Sequence, residues 1–121
     1  MKKDEKFILY VNTSDNPERA YSALVLAQMA KSMNLKPKVY YLGQALRILL
    51  PGAAEEIKLG TFPSVKEMID QTLGMGIEIL VCEASKQMLG WETVDLIDGV
   101  KIVGAATLND LALEAGATMW F

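Results

Sequence analysis

The sequence predicts an α/β fold in three layers, with a five-stranded, mainly parallel sheet between helices. Two observations lead to it. Short runs rich in β-branched and aromatic residues recur at 7–11, 38–42, 77–82, 100–105 and 118–121, and helical connections separate most of them. The first run, Phe7-Ile8-Leu9-Tyr10-Val11, has no polar alternation, as expected of a strand buried on both faces of a parallel sheet. Strands joined through helices in this way imply right-handed crossovers and helices on both faces of the sheet.

After the first strand, Asn12-Thr13-Ser14-Asp15-Asn16 forms a polar loop, and Asn16-Pro17 is a helix start, with Asn as N-cap and Pro at the first helical position. The helix is expected to run to about Met33. Its middle, residues 20–30, is interrupted only by Ser22 and Gln28, so apolar groups spread over more than one face. A helix lying on one sheet should keep a wider polar stripe, and the excess points to a subunit interface. Pro37 opens the second strand, which Gly43 closes. A short helical segment over 44–50, the breaker Pro51-Gly52 and a further helical turn or two to Leu59 follow.

Ser64-Val65-Lys66-Glu67 matches the capping box S-x-x-E and launches a helix to Leu73. The third strand, 77–82, ends on Cys82. Ser85 is read as the cap of a short helix over 86–89, and residues 93–97 as another helix, before Asp98-Gly99 turns the chain into the fourth strand. Thr107 with Asp110 reads as a weaker capping box for a helix to about Glu114, and a final strand closes the chain. Residues 1–121 have the length of one domain and show no internal repeat.

Composition excludes much chemistry. There is no histidine and one cysteine, so Ser/His/Asp and Cys/His catalysis, zincin motifs, His-ligated metals, internal disulfides and four-cysteine metal sites are all ruled out. No metal site and no cofactor is expected. Twelve Lys+Arg against 15 Asp+Glu give a net charge of −3, opposite to the basic footprint of a nucleic-acid binder. The apolar run at 7–11 is too short for a signal h-region, and no uncharged stretch approaches the length of a membrane span. A soluble cytoplasmic protein is expected.

Ligands of open α/β sheets bind beyond the carboxyl ends of the strands. That rule selects three loops: residues 12–16, 43–44 and 82–86. Cys82 is the last residue of its strand. With Ser85 as cap, the amides of Lys86, Gln87 and Met88 would face the sulfur and favour a thiolate, as would the Lys86 ammonium, while Glu83 opposes it. The plain alternative is a small buried hydrophobe, since free cysteine is among the most buried residue types. Met88 and Trp91 read as packing before pocket wall. Asn12-Thr13-Ser14-Asp15-Asn16 has no glycine, against both a G-x-G-x-x-G fingerprint and a flavin-phosphate loop. A C-x5-R phosphatase loop fails too, because Met88 occupies the arginine position.

The stretch Ile79-Leu80-Val81-Cys82-Glu83-Ala84-Ser85-Lys86-Gln87-Met88-Leu89-Gly90, and the later Asp95-Leu96-Ile97-Asp98-Gly99-Val100-Lys101-Ile102-Val103-Gly104-Ala105-Ala106-Thr107-Leu108-Asn109-Asp110, resemble the DsrE/DsrF-like family of small sulfur-relay and sulfur-oxidation proteins. The resemblance runs over essentially the whole chain. It implies a five-stranded, mainly parallel sheet of flavodoxin-like topology between helices, and a homo-oligomer, commonly a trimer or hexamer. It also implies sulfur carried as a persulfide or thiosulfonate on the residue matching Cys82. With one thiol, sulfur would pass between a donor protein and an acceptor protein and never resolve as an internal disulfide. Ser85, Lys86, Asn12, Thr13, Ser14 and Thr107 are the expected rim of the site and stabilisers of its anion. Two other readings stand beside the carrier: a non-catalytic assembly subunit, which the apolar 20–30 helix motivates, and a small-molecule-binding domain using the strand-end crevice.

Overall fold

The computed structural model describes residues 6–121. Residues 1–5 of the expected single domain lie outside them. The described residues form strands β1 (Phe7–Asn12), β2 (Lys36–Tyr41), β3 (Glu78–Cys82), β4 (Lys101–Val103) and β5 (Ala117–Trp120). The helices are α1 (Pro17–Ser32), α2 (Val65–Gly74), α3 (Glu83–Met88) and α4 (Ala105–Glu114), with 3-10 segments at Gly43–Leu49 and Ala54–Glu56. All strand pairings are parallel, in the order β4-β3-β2-β1-β5. Among the described residues no helix is long and apolar enough to cross a membrane.

The expected three-layer architecture is present, but the strand order departs from the flavodoxin order 2-1-3-4-5. Here the chain steps β1 to β2 to β3 to β4 in one direction and reverses once, when α4 carries it back to the far side of β1. Right-handed crossovers that move one way place their helices on one face, and the single reversal places α4 on the other. The packing agrees. Tyr10, Val39, Tyr41, Ile79 and Val81 project into a large cluster with α1, α2 and the first 3-10 segment, whereas Leu9, Val11, Tyr40, Leu80 and Cys82 project toward α4.

Local chemistry accounts for the best-defined helix ends. The Asn16 side chain accepts the Arg19 amide at 3.1 Å, and Pro17 occupies the first helical position, where its missing N–H has no intrahelical partner to lose. Helix α1 ends through Asn34 at φ +64°, a left-handed position that asparagine tolerates, with the Leu35 amide donating to the Ala30 carbonyl. The capping box at α2 is complete: Ser64 Oγ accepts from the Glu67 amide at 3.2 Å, and the Ser64 amide donates to Glu67 Oε1 at 3.3 Å.

Three local expectations are corrected. Helix α3 starts at Glu83, directly out of β3, so Cys82 itself holds the N-cap position and Ser85 lies inside the helix. No turn residue separates the two elements, and Glu83-Ala84 are good helix formers with an acid in the first turn. Residues 93–97 are not helical. Thr93 and Val94 are β-branched, and the segment is tied down by other bonds, Val94 to the Trp91 carbonyl and Ile97 to the Leu49 carbonyl, both at 3.0 Å. Helix α4 begins two residues before Thr107, with Gly104 as an N-cap that has no side-chain bond. A start at Thr107 would leave Ala105 and Ala106, the best helix formers, outside it.

The two faces differ in coverage. Six residues of α1 are buried, and none of α4. Leu24→Ala, in the crowded face, is therefore expected to cost about 2–5 kcal/mol, and Leu113→Ala, at 85% exposure on α4, to stay within about 0.5 kcal/mol. Urea denaturation of the two variants beside the parent measures both.

Candidate functional site

Cys82 ends β3 with its side chain on the α4 face, in register with Val103 of β4 and in one cluster with Leu9, Val11, Tyr40 and Leu80. It is a free thiol at only 2% exposure. Leu42, Val103 and Leu108 are among the apolar residues packed on this cluster. Burial alone would hold the thiol in its neutral form. Hydrogen bonds act against burial and win: the Ser85 hydroxyl and amide, the Tyr40 hydroxyl and the Ala84 amide together hold the Cys82 pKa below the ordinary thiol value.

Both hydroxyls are built into the fold. Ser85 is three residues beyond the cysteine in α3, 1% exposed, and its Oγ accepts the Gly43 amide at 2.7 Å. Tyr40 is fully buried on the α4 face, and its hydroxyl donates to the Gly104 carbonyl at 3.5 Å. Burial first, then the bond to the cysteine and its charge, push the Tyr40 phenol far up, so this hydroxyl stays protonated and can donate.

The other sequence-derived candidates are placed elsewhere. Asn12 is fully buried on the opposite face of the sheet, beside Tyr41, with which it is in register. Neither polar atom of its side chain nor the Tyr41 hydroxyl has a hydrogen-bond partner. The Thr13 hydroxyl donates to the Phe121 carbonyl at 2.8 Å, and Ser14 Oγ accepts the Asn16 amide at 2.9 Å. Thr107 is half-buried in the first turn of α4. Lys86 is buried, not a solvated surface group, and lines a cavity of about 310 Å³ with Glu83, Gln87, Glu92 and Ile102 that does not include Cys82. It is not among the groups that lower the thiol pKa, and the amides that do belong to Ala84 and Ser85, earlier in the helix than expected. Among the described residues no group of His, Cys, Asp and Glu could hold a metal ion.

Sequence reasoning missed Tyr40, and it placed Gly43 in a strand-end loop without finding its partner. The signal for the first is the pair Tyr40-Tyr41 in a central strand: successive residues face opposite sides, so each side must accommodate a phenol whose hydroxyl needs a partner. Gly43 reads as a strand terminator in a candidate loop, but its partner, 42 residues away, is not visible locally.

Two outcomes follow for the thiol. Tyr40→Phe removes one donor, and the pH midpoint of Cys82 ionisation, followed by thiolate ultraviolet absorbance with Cys82→Ser as blank, should rise. A folded pKa below the unfolded one gives a stabilisation that is complete above the unfolded thiol's pKa and is lost as pH falls through the native one. The unfolding free energy of the parent, relative to Cys82→Ser, should therefore increase with pH across that alkaline window; a flat difference would show that the native thiol is not favoured as the anion.

Comparison with known proteins agrees with this architecture. The chain is 32% identical over 120 residues to Uncharacterized protein MJ0760 of Methanocaldococcus jannaschii, an alignment that takes in 98% of this chain but 44% of that protein. It therefore spans less than half the length of this relative. The crystal structure of the ychN protein from E. coli superposes with a TM-score of 0.77 at 23% identity, covering 96% of this chain and 99% of that one. The protein of unknown function MTH1491 from Methanobacterium thermoautotrophicum gives 0.73 at 12% identity, with 96% and 99% covered. Both share the fold. The DsrE/DsrF-like family model matches residues 5–121, and the chain belongs to that family.

Proposed function

We propose that the protein is a sulfur carrier that holds sulfane sulfur on Cys82 and relays it between a donor and an acceptor protein. The observation that carries the reading is a free thiol buried at a strand end, at the N-cap of α3, with the buried Ser85 and Tyr40 hydroxyls and the first amides of the helix holding its pKa down. Membership of a family linked to sulfur relay supports it. A thiolate is both the nucleophile that takes up sulfur and the leaving group that gives it away, and a lower thiol pKa favours departure.

The chemistry balances without an oxidant. The Cys82 thiolate attacks the outer sulfur of a donor persulfide, a new S–S bond forms, the donor's S–S bond breaks, and the donor leaves as its thiolate. An acceptor thiolate then attacks the outer sulfur on Cys82, which departs as a thiolate. With a single cysteine the chain cannot intercept its own persulfide, so both steps are intermolecular. Uptake requires the α4 cover to yield. None of its residues is buried, and such elements open at little cost. A reducing cytoplasm is the compartment this reading requires, because the thiol must be kept free.

We also propose a homo-oligomer joined through α1. Leu26 and Met29 lie exposed along that helix and Met33 at its C-cap, Met29 at 56%. Beside them runs an apolar groove of about 630 Å³ walled by Tyr21, Val25, Leu26, Leu59 and Phe62. An apolar surface of this kind on a small domain is the mark of an interface.

Intact-mass measurement after incubation with a persulfide donor should show the protein gaining one or more sulfur atoms, returned by an acceptor thiol, and Cys82→Ser gaining none. A Cys82 that stays unmodified at every donor concentration would sink the carrier reading. Sedimentation at micromolar concentration should find an oligomer, and Leu26→Asp with Met29→Asp should release smaller species; a monomeric parent overturns the interface.

A further inference from the structure

We propose that Gly43 is a positioning residue for the thiol: its backbone N–H fixes the Ser85 hydroxyl oxygen, leaving the hydroxyl proton directed at the Cys82 sulfur. The inference rests on the reading of Cys82 as the sulfur-bearing group and adds to it the residue that aims its main donor. A serine hydroxyl has one proton to donate and two lone pairs to accept with. At Ser85 one lone pair is taken by the Gly43 amide at 2.7 Å. The side chain is 1% exposed, so bulk water does not compete for its proton. Among the described residues the Ser85 hydroxyl donates to no oxygen, and the nearest acceptor along the chain is the Cys82 sulfur, three residues earlier at the start of the same helix.

Glycine is required by conformation, not by crowding. Residue 43 lies at φ +60°, where L side chains are rarely found, while a Cβ there would meet only the Thr13 carbonyl, at 3.9 Å. The left-handed residue turns the chain away just beyond β2, after Leu42, whose own amide still follows the sheet and donates to the Asn12 carbonyl at 2.9 Å. The next amide is turned out of the ladder and over to α3. The end of β2 thus reaches the thiol twice, directly through Tyr40 and through Gly43 by way of Ser85.

The test is a cycle of variants read by the pH midpoint of Cys82 ionisation and by its alkylation rate at neutral pH. Ser85→Ala should raise the midpoint and slow alkylation roughly three- to tenfold, the effect of losing one hydrogen bond to a charged group. Gly43→Ala should move both in the same direction. The double variant should move no further than Ser85→Ala alone, because Gly43 acts only through that hydroxyl. Gly43→Asn, which tolerates the left-handed backbone and keeps the N–H, should restore the parent midpoint, as should Ser85→Thr. A parent-like midpoint in Gly43→Ala, or fully additive shifts in the double variant, overturns the proposal. Should Gly43→Ala not fold, nuclear magnetic resonance of Ser85→Ala decides: the Gly43 amide must lose its exchange protection and shift, and an unchanged amide overturns the proposal. Failure of sulfur loading with this coupling intact would count against the carrier reading alone, whereas loading without the coupling would count against Gly43 alone.

Discussion

Right-handed crossover connections are favoured because a right-twisted strand feeding a right-handed helix packs back on its sheet only in that sense. In this chain the rule acts on three successive steps in one direction and then on one step in reverse. The outcome is an uneven sandwich: α1, α2 and the 3-10 segments crowd one face, and α4 alone serves the other. The Cys82 sulfur belongs to the thinly covered face. The strands beneath it, β2 and β3, are central in the sheet and held by the crowded face, so a rigid floor and a loosely seated cover come from the same winding.

The electrostatics of the thiol are a contest between two large effects. Removal from water disfavours a thiolate, and a fixed set of donors favours it; in a low-dielectric setting each donor counts for more than it would in solvent. The donors cost little to organise. The two amides lie at the start of α3, right after the cysteine, where helix amides have no intrahelical partner. The two hydroxyls are held by the sheet and by α3, so little conformational freedom is left to lose when charge develops.

How much of this could be read from the residues divides by the range of the interactions. Asn16 and Pro17 at α1, and Ser64 with Glu67 at α2, are caps whose partners lie within three residues, and the sequence displays both ends of each bond. Five parallel strands and the position of Cys82 at a strand end follow from apolar runs and turn residues in the same local way. Ser85 and Thr107 read as caps but lie inside their helices, because α3 follows its strand directly and α4 after one glycine, a geometry dictated by the sheet and invisible in a hydroxyl. The irregular path of residues 93–97 is set by Leu49, and the tie between Gly43 and Ser85 joins two strand ends. Asn12 groups with the thiol in the sequence because it too ends a strand; in the fold β2 stands between β1 and β3 and the pleat points the two side chains to opposite faces.

That pleat has a consequence for how the segment can vary along evolution. Strand β3 presents Leu80 and Cys82 to one side and Ile79 and Val81 to the other. Inserting or deleting a single residue between Glu78 and Cys82 changes the parity of the cysteine and turns its sulfur into the tightly packed layer beneath α1, away from Tyr40. A change of two residues preserves the side and only shifts the height. The length of this short strand, odd or even, therefore carries as much information about the sulfur's surroundings as the residues that surround it.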